Sequence, residues 1–145
     1  MHGLINRGIQ RFVTDSYGAA KWRAVTRSAG LDFTDFEAMW IYDDAVTPAV
    51  LAAVCDVLDR PYEELMEDIG TFLVSHAKVE ALRRLLRFGG VTFIDFLHSL
   101  DDLPDRARLA VPDLELPRLE LMERSAEEYS LRCYGEHAGW GYLFM

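Results

Sequence analysis

The side chains able to do chemistry in this chain are few. Four histidines, His2, His76, His98 and His137, and two cysteines, Cys55 and Cys133, are the candidate ligands for a soft metal. No Cys-x-x-Cys, His-Glu-x-x-His, phosphate-binding glycine loop or nucleophile elbow organises them. Asp43–Asp44 and Asp101–Asp102 are adjacent pairs. Neighbouring side chains diverge on a helix, whereas acid–base work needs carboxylates that converge. Cys133 and His137 would share one face of a strand, but four residues at about 3.3 Å each set their backbones about 13 Å apart, too far to chelate one ion together. Cys133 alone reads as a small buried hydrophobe. His76 reads as the end of a helix, where a positive charge suits the dipole, and His2 as an ordinary terminal residue. This inventory points away from an enzyme and toward a binding or sensing role.

The elements that must position these groups follow from apolar spacing. Leu4, Ile5, Ile9, Phe12 and Val13 recur at helical spacing from Leu4 to about Tyr17, with Gly18 as the stop. A short helix carries Trp22, Val25 and Ala29 and ends at Gly30. Thr47 is expected to cap the next helix, with Pro48 in its first turn and Val50, Leu51, Val54, Val57 and Leu58 along one side. Pro61 opens another, with Glu63 and Glu64 near its positive end and Leu65, Ile69, Phe72 and Leu73 as its stripe. A basic helix through Leu82, Leu85 and Leu86 is closed by Gly89–Gly90. Thr92 and Asp95 have capping-box form ahead of Phe96, Leu97, Leu100 and Leu103, in a helix that should stop or kink close to Pro104. Prolines 104, 112 and 117 bracket a connector. Leu119 and Leu121, then Tyr129, Leu131 and Cys133, alternate with polar residues as a hairpin whose turn lies in 123–127. A third strand is expected from Gly139 through Trp140, Tyr142, Leu143 and Phe144. It meets Met145 without a turn or cap, so the sheet reads as unfinished and the chain as truncated at its C-terminus.

At 145 residues the chain suits one domain, 1–145, able to bury roughly two thirds of its unfolded surface. Half of it is hydrophobic and 12% aromatic, enough to wall a pocket as well as fill a core. The net charge of −9 speaks against nucleic acid and anionic membranes, which need a basic footprint. Arg83, Arg84 and Arg87 form a small basic ridge, Arg106 and Arg108 another, and acids crowd 56–68 and 95–105; such runs are chiefly solvated helix faces. No apolar run reaches the ~18 residues of a membrane span. Arg7 and Arg11 interrupt any signal-peptide core. Two cysteines make no disulfide framework, and a reducing, cytoplasmic setting suits them.

The order of particular segments carries a resemblance. The opening Met-His-Gly-Leu-Ile-Asn, Phe12–Val13, Tyr17–Gly18, the Trp22 helix, the Leu73 region, the Phe93–Asp102 helix and the connector ending in Pro117 resemble the heme nitric oxide/oxygen binding (H-NOX) domains over essentially all 145 residues. The resemblance implies an α+β fold, with a helical bundle over about 1–110 followed by a small antiparallel sheet over about 117–145. It implies a heme between the two parts, held by a proximal histidine on the helix of about 93–103. The propionates would be clamped by a Tyr-x-Ser-x-Arg motif on a strand. It further implies a diatomic gas as ligand and a signalling partner such as a cyclase or histidine kinase. Pocket walls would come from Leu4, Ile5, Leu73, Leu97, Leu100 and Pro117.

Three departures stand against that pattern. Aligning Ser99-Leu-Asp-Asp-Leu103 with the family puts Pro104 at the ligand position, and proline has no lone pair to give iron. Aligning the Gly139–Trp140 segment puts Cys133, Gly135 and His137 where Tyr, Ser and Arg belong. An alternative register keeps Ser130 and Arg132 but puts Glu128 in place of Tyr. His98, six residues before Pro104, is the alternative proximal ligand, although on one continuous helix it would lie about 240° around the axis from the family position. His137 could meet a propionate in place of arginine, with less reach and no bidentate fork. Two readings follow: a heme-based gas sensor-like domain that signals to a partner, or a non-heme ligand- or protein-binding module that keeps the fold without the iron site. The chain as given is expected to be empty or only partly loaded with heme and to pair through an open strand edge.

Overall fold

The apolar spacing near the start becomes α1 (Gly3–Tyr17), which buries Asn6, Ile9, Phe12 and Val13. His2 is no ordinary terminal residue. It is buried, and its Nδ1 accepts from the Leu4 amide at 3.1 Å, capping α1 in the role usually filled by a serine or aspartate oxygen. Gly18 ends α1 at φ 90°, a backbone conformation that glycine tolerates without strain. The chain then enters α2 (Ala19–Ser28), with Trp22, Val25 and Thr26 buried. The computed structural model describes residues 1–76, 90–135 and 139–145. The chain divides into two compact units, Met1–Leu73 and Val74–Met145.

In the first unit α3 (Val46–Leu58) begins earlier than Thr47. Thr47 does not cap it. Its hydroxyl donates instead to Asn6 Oδ1 at 2.8 Å, a buried bond across 41 residues that local spacing could not reveal. Tyr62–Ser75 forms α4, with Pro61 just ahead accepting from the Leu65 amide at 3.0 Å. Leu65, Met66, Ile69 and Phe72 are its buried face. Phe12 and Phe72 meet edge to face at 5.6 Å. A second aromatic group joins Trp22, Phe33, Phe36 and Tyr42. The Trp22 indole donates to the Thr34 carbonyl at 2.6 Å, so a large apolar residue enters the core with its one polar atom satisfied. The expected basic helix at 82–86, its Arg83, Arg84 and Arg87, and His137 lie outside the described residues.

In the second unit the Thr92–Asp95 capping box forms as expected. Thr92 Oγ1 accepts from the Asp95 amide at 3.1 Å and Asp95 Oδ2 from the Thr92 amide at 3.0 Å. The helix it opens, α5, is only Phe93–His98. The single helix expected over 93–103 is broken at Ser99. It restarts as α6 (Leu103–Ala110) with Pro104 in its first turn, where a missing N–H costs nothing. Strands β1 (Arg118–Glu123) and β2 (Tyr129–Tyr134) pair antiparallel, with Leu119 opposite Cys133 and Leu121 opposite Leu131. The third strand expected from Gly139 is instead a short helix, α7 (Trp140–Phe144), entered through Gly139 at φ 93°. A short apolar run carries no period that separates strand from helix. The open strand edge on which sheet-to-sheet pairing was expected is therefore not formed by this segment. Among the described residues there are seven helices and one two-stranded sheet, the α+β class expected.

Candidate functional site

The residues just before the expected ligand position pack in an apolar cluster. Leu100, Leu103 and Leu119 are buried together, with Phe96, Leu97, Leu116, Leu131, Cys133 and Phe144 packed against them. Alternation along β2 turns Leu131 and Cys133 to this side and Ser130 and Arg132 to the other. Pro104 is buried in the first turn of α6, beside Leu103. Two polar contacts hold the break between α5 and α6. Asp101 Oδ1 accepts from the Leu121 amide of β1 at 2.7 Å, and Arg106 donates from Nη2 to the Ser99 carbonyl at 3.0 Å. Asp101 was read as half of a divergent pair on a helix; it is the residue that ties this turn to the hairpin.

His98 ends α5 on the exposed surface, its ring edge-on to Tyr129 at 6.2 Å. The rotation argument for His98 loses its basis, because no continuous helix joins it to Pro104. Cys133 is half-buried, and burial pushes its thiol pKa up. Gly135 lies against Pro117, where an added Cβ would come within 3.1 Å of the proline Cβ. Arg132, from the alternative register, is exposed. His76 directly follows α4 and is half-buried. Of the expected pocket wall, Ile5 and Leu73 are half-buried and Leu4 is 40% exposed in the first unit. In the second, Leu97 is half-buried and Leu100 and Pro117 are buried. Leu131, Cys133, Gly135, Trp140 and Tyr142 line a cleft of about 420 Å³ between β2 and α7, at the small end of the range for ligand pockets.

A heme held in the family's manner needs an axial donor and an anion clamp. Position 104 supplies no donor, Cys133 supplies a thiol, only a weak hydrogen-bond donor, where the pattern has a tyrosine, and Gly135 supplies no side chain at all. These residues do not fit the group held in that way. Among the described residues no three His, Cys, Asp or Glu side chains are grouped so as to hold a metal ion. No described helix is long and apolar enough to cross a membrane.

The Haem-NO-binding family profile matches residues 2–145. A soluble guanylate cyclase of Caenorhabditis elegans, gcy-31, is 27% identical over 140 residues, which are 97% of this chain and 20% of that protein. Soluble guanylate cyclase 89Db of Drosophila melanogaster is 25% identical over 121 residues, 83% of this chain and 18% of that one. The chain thus spans about a fifth of the length of these relatives. Among solved structures, the Fe(II) unliganded H-NOX protein from K. algicida superposes with a TM-score of 0.82 at 18% identity, covering 99% of this chain and 77% of that chain. The H-NOX protein from S. oneidensis in the Fe(II)NO state gives 0.77 at 16% identity, covering 99% and 82%. At such identity the structures speak to the fold, and they agree on the H-NOX architecture. With the family profile spanning all but the first residue, the chain belongs to the Haem-NO-binding family.

Proposed function

We propose that this chain is a single sensor-type domain that keeps the H-NOX fold without the family's iron bond, and that it signals by changing its contacts with a partner protein. The observation that carries this is Pro104, buried at the start of α6 with no atom able to bind iron. The domain is non-catalytic in this reading and works in the cytoplasm. Its partner is a signalling protein such as a cyclase or a histidine kinase, a choice supported by the cyclase relatives. The ligand would be an apolar molecule rather than a gas on iron, and the cleft beside Cys133 offers one place for it.

The test is the absorption spectrum of the intact natural protein purified from heme-replete cells and again after reconstitution. The proposal expects no Soret band at one heme per chain. A stoichiometric band that responds to nitric oxide or oxygen would overturn it in favour of a heme-based gas sensor. The His98→Ala variant would then decide the ligand: loss or shift of the band assigns His98, and an unchanged band excludes it.

A further inference from the structure

The loop joining α2 to α3 holds three consecutive large apolar side chains in solvent: Met39 is 70% exposed, Trp40 65% and Ile41 62%. Exposed apolar residues are common singly, but three in a row including a tryptophan are not. Flexibility does not account for them, because the backbone beneath is fixed. The Gly3 amide donates to the Trp40 carbonyl at 2.7 Å, the Tyr42 amide to the Met1 carbonyl at 2.9 Å, and His2 and Ile41 form an antiparallel bridge. Tyr42 packs edge to face on Phe36 at 4.9 Å, and its hydroxyl accepts from the Glu37 amide at 2.8 Å. A rigid backbone that holds Trp, Met and Ile outward has already met the ordering cost that weakens most contacts.

The surroundings give the partner's chemistry. Asp32, Asp35, Glu37, Asp43 and Asp44 are all exposed around the three residues, and no lysine, arginine or histidine occurs between Arg27 and Arg60. Two cations reach the loop, one from α1 and one from the residue ahead of its cap: Arg7 donates to the Phe36 carbonyl, and the Met1 ammonium pairs with Asp44. Five carboxylates against two cations leave an apolar knob in an acidic collar. An anionic lipid surface would be repelled, and so would the same face of a second copy.

We propose that Met39, Trp40 and Ile41 dock into a partner protein that presents an apolar cleft bordered by lysine and arginine. The apolar centre supplies the affinity, and the collar selects and steers the partner. This surface lies within the first unit and holds whether or not the chain binds heme.

Fluorescence titration of the full chain tests it. The probes are an amphipathic helical peptide of leucine and lysine, the same peptide with glutamate for lysine, and phosphatidylcholine vesicles with and without phosphatidylglycerol. The lysine peptide should shift tryptophan emission to the blue, and the shift should be missing in Trp40→Phe. Added salt should weaken the binding. Replacing Met39, Trp40 and Ile41 by serine should weaken it about tenfold or more while the net charge and the circular dichroism spectrum stay the same. Equal binding by the serine variant would reduce the effect to the chain's overall charge and overturn the proposal. Equal binding of the glutamate peptide, partition into either vesicle, or self-association lost in the serine variant would each assign the knob to another occupant and overturn it as well.

Discussion

Gly3 has no room for a side chain: a Cβ there would overlap the Glu37 carbonyl oxygen and stand 2.9 Å from that of Trp40. Gly3→Ala should therefore destabilise the first unit by about 1–3 kcal/mol in urea denaturation, as overpacking does. Gly141→Ala, with open space around it, should not. The buried Asn6–Thr47 pair makes a second expectation. Thr47→Val keeps the shape but leaves Asn6 Oδ1 without its donor, at a cost of roughly 1–3 kcal/mol. Neither role was legible in the sequence, since each depends on a partner far along the chain. Cys133 reads as a small buried hydrophobe from the usual behaviour of free cysteine; it packs against the Leu100–Leu119 cluster but is only half-buried. His2 was not legible as a cap, because a histidine cap carries no local signature like that of serine or aspartate.

Elements closed by local rules were read well, and those decided by competition were not. The capping box at Thr92 and Asp95 and the hairpin around a turn near 123–127 rest on residues a few positions apart, and both formed. The break at Ser99 and the helix at 140–144 were missed because a periodic apolar pattern persists through the break and no period marks so short a run. The capping box also sets a pH dependence. The side-chain and then the backbone hydrogen bonds with Thr92 hold the Asp95 carboxyl below its ordinary range. The folded form thus binds fewer protons than the unfolded one between the two values, so stability rises with pH there. The increment from Asp95 is fully present above the ordinary carboxylate value and is lost as pH falls through the folded one. The gap in denaturation midpoint between the natural chain and Asp95→Asn should shrink over that acid window; a gap that stays constant would show that the carboxylate is not responsible.

At the scale of the molecule, the family pattern was visible along the whole chain because segment order survives where single residues drift. The same comparison exposed what does not fit. At the positions expected to hold iron and propionates stand Pro104, Cys133 and Gly135, and Pro104 is buried beside Leu103 in the first turn of α6. Where His137 stands could not be read from spacing and lies outside the described residues. In the function proposed above, Pro104 is the reason the family's iron bond does not form. The most direct measurement is a heme titration of the natural chain beside Pro104→His, followed by absorption in the ferrous state. The account predicts that the variant gains histidine-ligated heme at least about tenfold more tightly than the natural chain, a difference of about 1.4 kcal/mol. A natural chain that takes up one heme as tightly as the variant, with the same ferrous spectrum, would contradict it.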